Sequence, residues 1–328
     1  MRAPDFWYEE PGIAAGLLTP VGAAIDAAGR LRRAVARPYR APVPVICVGN
    51  LVAGGSGKTP VALSLAATLA ARGVATAIVM RGYGGRLPGP TRVEPGRHDA
   101  EAVGDEALLA ARQTACWVAR DRAAGVRAAA ADGAENIILD DGFQNPHVAK
   151  DLSLVVVDAA AGFGNCRLIP AGPLRERVAA GLARADAVVL VGDGGPPAID
   201  RPILHASLDP IEGDRFSGAK LLAFAGIGRP DKFFASLREL GADLIGERGF
   251  PDHHPYRAAE LAALHRDADA AKARLVTTRK DWVRLPPAER TDIEVLDIAV
   301  RWHDLAARDA LMAPVLARTS ERGRAIRA

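Results

Sequence analysis

Two short clusters carry most of the chemistry in this sequence. In the first, Gly54, Gly55 and Gly57 surround Ser56, and Lys58-Thr59 follow directly. Glycines let backbone N–H groups converge on phosphates and a helix start adds positive potential. The lysine reaches the outer phosphates, and the threonine can ligate Mg²⁺. The strict phosphate-loop motif wants glycine where this chain has Val52, followed by Ala53, so the run departs from the pattern at its first position. The loop needs a backbone path more than it needs that one glycine. In the second cluster, Ile137, Ile138 and Leu139 lead into Asp140-Asp141-Gly142-Phe143-Gln144. Carboxylates at the end of a strand, above a parallel sheet, sit where ligands bind. One could hold Mg²⁺ directly or through water; the lesser alternative is that the pair merely caps the next turn.

Other groups are weaker by themselves. Gly104-Asp105-Glu106 opens a helix, a place that favours acids for capping. Asp252-His253-His254 offers acid/base groups or metal ligands, but a single cluster is thin support for a transition metal. Arg81 in RGYG and Arg175 in PAGPLRE suit an anionic group or a transferring phosphoryl, or simply solvent. A guanine-reading Asn/Thr-Lys-x-Asp is missing, since TTRKD at Thr277–Asp281 sets lysine directly beside aspartate. The acidic strand end is Asp-x-Gly rather than the Asp-x-x-Gly of a GTPase switch. ATP is the expected nucleotide.

These residues need a frame, and short apolar runs supply it. Val43–Val48, Ala75–Met80, Asn136–Leu139, Leu154–Val157 and Ala187–Val191 read as strands, each continuous rather than alternating. Helical patterns over Pro60–Ala71, from Gly104, and over Arg120–Ala131 separate them, which indicates a parallel sheet covered on both faces. Gly192–Pro202 is the best break. Beyond it His205–Asp209 links to a second alternation: strand Leu221–Ala225, helix Asp231–Leu240, strands Arg274–Thr277 and Ile293–Leu296. The expected fold is α/β, a P-loop NTPase-like three-layer domain with a parallel sheet plus a second, smaller α/β domain. The expected divisions are 1–40, 41–205 and 206–328.

The bulk properties fit a folded chain that can bury one large core or two moderate ones. The 328 residues are 49% hydrophobic, and 42 basic against 39 acidic side chains leave +3, too balanced for a general nucleic-acid binder. Cys47, Cys116 and Cys166 show no metal-ligand spacing and no even-numbered framework, which favours a reducing compartment. No run approaches the ~18–20 apolar residues that cross a bilayer, and no export signal opens the chain. Leu18, Val21, Ile25, Ala28, Leu31 and Val35 form one helical stripe, with Arg30, Arg32, Arg33, Arg37 and Arg40 crowding its end. Such a stripe docks on the protein's own core or lies at an anionic membrane surface with Phe6, Trp7 and Tyr8 beside it.

Taken together, the order VGN…GGSGKTP, RGYG, VGDE, DDGFQ, GFGN…PAGPLRE, GI…P…FF, FPDHH and T…KD resembles the tetraacyldisaccharide 4'-kinase family of Gram-negative bacteria, over nearly the full chain. Val52 then marks a loop of the GG-x-GKT kind. The resemblance implies transfer of the ATP γ-phosphate to the 4'-hydroxyl of a tetraacylated glucosamine disaccharide 1-phosphate, with Mg²⁺, at the cytoplasmic side of the inner membrane. It implies phosphate binding by Val52 to Thr59, with Thr59, Asp141 and Glu106 at the metal. Asp105 is implied as base, paired with His253 and joined catalytically by Lys58, Asp140, Asp141 and Arg81. Glu106, Gln144 and Arg175 are implied at the acceptor. The implied partners are the acylated disaccharide and a lipid surface, with neither nucleic acid nor an obligate protein partner. A P-loop ATPase switch acting on a membrane protein is the competing reading. The chain departs from the family pattern at Asn145-Pro146-His147, at Cys166 and in TTRKD, where an acid usually precedes the lysine.

Overall fold

The computed structural model describes residues 4–195 and 199–327, with side chains through 319. From the N-terminal side the chain forms α1 (Ile13–Val35), β1 (Val45–Gly49), α2 (Lys58–Ala70), β2 (Thr76–Met80) and β3 (Thr91–Arg92). Next come α3 (Ala100–Val103), α4 (Asp105–Ala111), β4 (Ala115–Val118), α5 (Arg122–Ala131), β5 (Asn136–Asp140) and β6 (Leu152–Asp158). These lead to α6 (Val178–Leu182), β7 (Ala187–Val191), β8 (Ile203–Ile211), β9 (Lys220–Ala225), α7 (Pro230–Glu239) and β10 (Asp243–Gly249). The last elements are α8 (Ala258–Ala271), β11 (Arg274–Thr278), α9 (Arg279–Trp282), β12 (Ile293–Trp302) and α10 (Leu305–Arg327).

The apolar runs become central strands because both faces of each are covered. β1, β2, β5 and β7 are buried at every position. Alternate residues feed two cores: Ile46, Val48 and Ile138 pack with α2 and α4 on one face, and Val45, Cys47 and Ile137 pack with α5 on the other. Strand order across the described sheet is β10-β9-β11-β12-β8-β7-β6-β1-β5-β2-β4-β3. All neighbours are parallel except β12–β8 and β3–β4. With β1 central and β5 and β6 on its two sides, their carboxyl ends converge on one edge.

β8 joins the two halves of the sheet. Its residues Ile203–Ala206 pair in parallel with β7, and Ala206–Ile211 pair antiparallel with β12. The expected boundary at 205/206 therefore falls inside a strand shared by both halves. Residues 196–198 of the Gly192–Pro202 break lie outside the described residues, as do Met1 to Ala3 of the first expected segment. In the second half, Phe233, Phe234 and Leu237 of α7 close one face, and Leu261 and Leu264 of α8 close the other.

Helix α1 docks by its small face. Ala15, Gly22 and Asp26 are buried, and a Cβ on Gly22 would lie 3.0 Å from Leu168. The opposite ridge is bare: Ile13, Leu17, Val21, Ile25, Leu31 and Val35 are all exposed. Of the expected stripe Leu18 is half-buried and Val21, Ile25, Ala28, Leu31 and Val35 are exposed, so most of it is not packed on the protein's own core. Among the described residues, no helix is long and apolar enough to cross a membrane.

Candidate active site

The glycine-rich loop connects β1 to α2, with Gly57 as the helix N-cap at φ 84°, a left-handed conformation that suits glycine. Val52 has a structural reason. It bridges Leu174, Ala53 N–H donates to the Pro173 carbonyl at 2.8 Å, and Arg175 N–H donates to the Leu51 carbonyl at 2.8 Å. This short ladder needs an extended residue, and it carries the PAGPLRE loop to the phosphate loop. Asn50 Nδ2 donates to Ser56 Oγ at 3.0 Å and braces the turn from beneath.

At the end of β5 the two aspartates divide. Asp140 is buried and accepts a hydrogen bond from the Thr59 hydroxyl at 2.7 Å. Its other oxygen has no partner. Burial, and secondarily Glu106, push its pKa up to about 7 against the pull of Thr59 and Lys58. Asp141, held at φ 54°, turns the other way, 2.7 Å from Arg175 and 3.9 Å from Lys58. Burial raises its pKa, but the charges of Lys58 and Arg175 outweigh that and hold it below the usual carboxylate range. Gln144 donates to the Asn50 carbonyl at 2.8 Å and to Glu176 at 3.1 Å, and Arg175 reaches its Oε1 at 3.5 Å.

A second group assembles from both halves of the chain. Asp105 begins α4 and is 3% exposed. The loop before it can lie this close only because residue 104 is glycine, since a Cβ there would meet the Tyr83 carbonyl at 2.4 Å. Asp105 Oδ1 accepts the Glu106 N–H at 2.8 Å. Its Oδ2 faces His253 Nδ1 at 2.9 Å and Arg284 at 3.4 Å. His253 sits at φ 59°, a strained position for a non-glycine residue, and its ring lies 5.4 Å from that of Tyr83. Burial would raise the Asp105 pKa, but the His253 hydrogen bond and the charges of Lys280 and Arg284 hold it below the ordinary value. Lys280 also binds Glu106 at 3.2 Å.

The expected residues therefore fall into two groups flanking the phosphate loop: Lys58, Thr59, Asp140, Asp141, Gln144 and Arg175 on one side, Asp105, Glu106 and His253 on the other. Arg81 follows β2, exposed, and makes no hydrogen bond or ion pair among the described residues. Asn50, Lys280 and Asp281 stood in quoted motifs with no role assigned to them, and Arg284 escaped sequence reasoning. Asp281 is fully buried and accepts from Gly226 N–H, Tyr256 OH, Thr278 Oγ1 and Arg284. The one available signal was TTRKD itself, whose Thr278 caps α9 through Asp281 N–H.

Mg²⁺ fits this donor set in one arrangement. A hydroxyl 2.7 Å from a carboxylate whose remaining oxygen is buried and unpartnered is chemistry for a hard cation that keeps water and phosphate as its other ligands. Thr59 pairs with Asp140 for this, whereas Asp141 and Glu106 already face cations. Among the described residues no group of three or more His, Cys, Asp or Glu could cage a metal on its own.

A glycine-rich loop between a central parallel strand and a helix, an acidic strand end beside it and an acid–histidine pair facing it define a P-loop kinase. Comparison with known proteins narrows the class. The chain belongs to the Tetraacyldisaccharide-1-P 4'-kinase family, whose profile matches residues 14–316. It is 53% identical to a tetraacyldisaccharide 4'-kinase of Rhodospirillum centenum, covering 99% of this chain and 100% of that one. A protein of the same name from Rhodospirillum rubrum is 50% identical over 95% of this chain and 97% of its own length. Among solved structures, LpxK from Aquifex aeolicus in complex with ATP superposes with a TM-score of 0.78 at 26% identity, covering 92% of this chain and 99% of that one.

Proposed function

We infer that this chain transfers the γ-phosphate of ATP to the 4'-hydroxyl of a tetraacylated glucosamine disaccharide 1-phosphate, a step of lipid A synthesis. The observation that carries the reading is the 2.9 Å contact between Asp105 and His253 beside a complete phosphate loop. It supplies a proton acceptor that a pure nucleotide switch does not require. A sugar hydroxyl is a poor nucleophile, and a base within hydrogen-bond reach takes its proton as phosphoryl transfer proceeds.

The geometry favours His253 as that base, with Asp105 orienting it, the reverse of the roles that the family resemblance suggests. Asp105 has both oxygens engaged and a depressed pKa, which makes it a reluctant acceptor. Binding Nδ1–H, it leaves Nε2 as the free lone pair, 3.7 Å from Asp252 and partly open to solvent. Lys58 and the loop N–H groups hold the phosphates, with Asp141 set between Lys58 and Arg175. Thr59 and Asp140 would hold Mg²⁺, which neutralises charge on the phosphate oxygens when bound. Lys280 offsets the negative charge that Asp105, Glu106 and Asp252 gather there.

Residues 41–205 and 206–328 work as two units around this site, the second delivering His253 and Lys280. Helix α1 supplies the membrane contact: its exposed apolar ridge beside Arg30, Arg32 and Arg37 suits an anionic lipid surface on the cytoplasmic side of the inner membrane. A radiolabel transfer assay tests the whole reading. Label should pass from ATP to the tetraacyl disaccharide in the presence of Mg²⁺. ATP turnover indifferent to the disaccharide would instead support a switch. Asp105→Asn and His253→Gln should each lower kcat by about 10²- to 10⁴-fold while ATP affinity holds within about threefold.

A further inference from the structure

Asp105 Oδ2 faces two residues of the C-terminal half, His253 and Arg284, and the proton transfer as derived uses only the first. Arg284 follows α9, and its side chain is 5% exposed. Every nitrogen of its guanidinium has a place. Nη1 donates to the His254 carbonyl at 3.2 Å, and Nη2 donates to the Gly226 carbonyl at 2.9 Å. Nε donates to the Lys280 carbonyl at 3.1 Å and lies 3.4 Å from Asp105 Oδ2, the oxygen that faces the His253 ring.

Two of these carbonyls belong to the backbone that carries His253. Gly226, which follows β9, accepts the His253 N–H at 3.1 Å on the same carbonyl that Arg284 binds. His254 is the next residue along the chain. The guanidinium therefore ties down the backbone after His253 and the carbonyl that its N–H reaches. That backbone needs support, because His253 is held at φ 59°. The packing around it is close: a Cβ on Gly226 would meet the Pro251 carbonyl at 3.0 Å and the Tyr256 hydroxyl at 3.1 Å.

Asp281 is the seat of the guanidinium. Its Oδ1 accepts from Arg284 Nη2 at 2.9 Å, from Gly226 N–H at 2.8 Å and from Tyr256 OH at 2.5 Å, and its Oδ2 accepts from the Thr278 hydroxyl at 2.6 Å. A staple for the C-terminal half alone would be complete there, with one buried charge answering another. The contact to Asp105 goes further. It crosses to the other half and ends on the oxygen shared with His253. A guanidinium is planar and presents its donors in fixed directions, so seating it on Asp281 also sets where Oδ2 can lie relative to the imidazole.

We propose that Arg284, seated on Asp281, is a positioning residue of the transfer reaction. One guanidinium holds the strained backbone of His253 and the carboxylate of Asp105 in register, and so aims His253 Nε2 at the acceptor hydroxyl. The inference deepens the function proposed above and rests on it. Being buried, Arg284 acts through the Asp105–His253 pair.

A double-mutant cycle tests this, read as transfer of label from ATP to the tetraacyl disaccharide. Arg284→Lys keeps the charge and loses the fork. It should lower kcat about 10- to 100-fold, the cost of a misplaced reacting group, while KM for ATP and for the disaccharide holds within about threefold. In an Asp105→Asn background the same change should cost no more than about twofold, because the pair it orients is already broken. Losses that add in the two backgrounds would make Arg284 a structural staple and overturn the proposal, as would an undiminished kcat in Arg284→Lys. If thermal melting shows that Arg284→Lys does not fold, Tyr256→Phe loosens Asp281 instead and carries the same cycle. A loss of about three- to tenfold, the worth of one hydrogen bond, should then vanish beside Asp105→Asn. A loss that persists there, or no loss at all, would overturn the proposal equally. A native protein that passes no label to the disaccharide would strike the acceptor reading and the proposal with it, whereas an active native protein with additive losses would strike the positioning role alone.

Discussion

At the scale of single residues, the site turns on how each carboxylate is occupied. Asp105 and Asp141 are saturated by cations and N–H donors, and Asp140 keeps one oxygen free. This division predicts which small molecules restore activity. In His253→Gly the proton acceptor is missing while its orienting partner stays, so added imidazole should recover at least about tenfold in kcat, whereas imidazole should do nothing for Asp105→Ala. Equal rescue of neither, with formate restoring Asp105→Ala, would return the base to Asp105. A second outcome follows from burial. Cys47 is pushed up to about 12 by desolvation and Cys116 is raised by the same cause, so neither forms thiolate at neutral pH. Cys166 is exposed. A thiol reagent should label one cysteine in the native protein and three after denaturation, counted by mass spectrometry. The glycine loop and the aspartate pair were legible from residue type and spacing, the DHH triplet only through the family resemblance. Arg284 and Lys280 were not, because a lone cation reads as solvent-facing until the fold places two acids against it.

At the scale of elements, legibility followed burial on both faces. β1, β2, β5, β6 and β7 are continuous apolar runs and were readable as strands within two residues. β10 was missed because DLIGERG is half exposed along its length and carries charge. β12 runs on to Trp302, well past the apolar stretch, because its second half pairs with β8 and is mostly exposed or half-buried until the buried Trp302. Helix α1 shows the limit of periodicity: the pattern marks an amphipathic helix but not what its stripe meets. The packed face uses Ala15, Gly22 and Asp26, with Asp26 held by Arg30 and Arg177 at 3.3 Å each. Leu17 and Ile25 project away, 76% and 50% exposed. Leu17→Asp with Ile25→Asp should therefore change folding stability by no more than about 0.5 kcal/mol per site. Vesicle flotation should fall at least about tenfold, since each side chain that enters the interface contributes roughly 1.5–3 kcal/mol. Flotation that survives both changes would remove α1 from membrane binding.

At the scale of the whole molecule, the phosphate loop lies between two sets of ties from the C-terminal half. On one side are His253 and Arg284 to Asp105 and Lys280 to Glu106. On the other, Arg229 reaches the Gly55 carbonyl at 3.2 Å and Asp158 at 2.6 Å, and Lys232 joins Asp158 at 3.2 Å. The halves do not depend on these ties to stay together. Trp302 and Val283 share a core with Ile46 and Val61, and Trp302 Nε1 donates to Ser64 Oγ at 2.9 Å. The ties can thus serve catalysis at little cost to folding. Arg229 and Lys232 are roughly half exposed, so each pair to Asp158 is worth about 0–1 kcal/mol once solvent screening is allowed for. Asp158 also accepts Ala160 N–H at 3.0 Å and Ala161 N–H at 3.2 Å, so Asp158→Ala should lower stability by about 0.5–2 kcal/mol, mostly through that turn. It also frees two cations beside the phosphate loop and removes the anchor that aims Arg229 at Gly55. KM for ATP should rise about three- to tenfold, the fold-change that corresponds to ~1 kcal/mol. Raised ionic strength should produce part of the same rise in the native protein, because the pair is open to screening ions. An unchanged KM for ATP beside a large loss of melting temperature would make this contact a structural clamp, and closure over the nucleotide would then have to come from the Asp105 side alone.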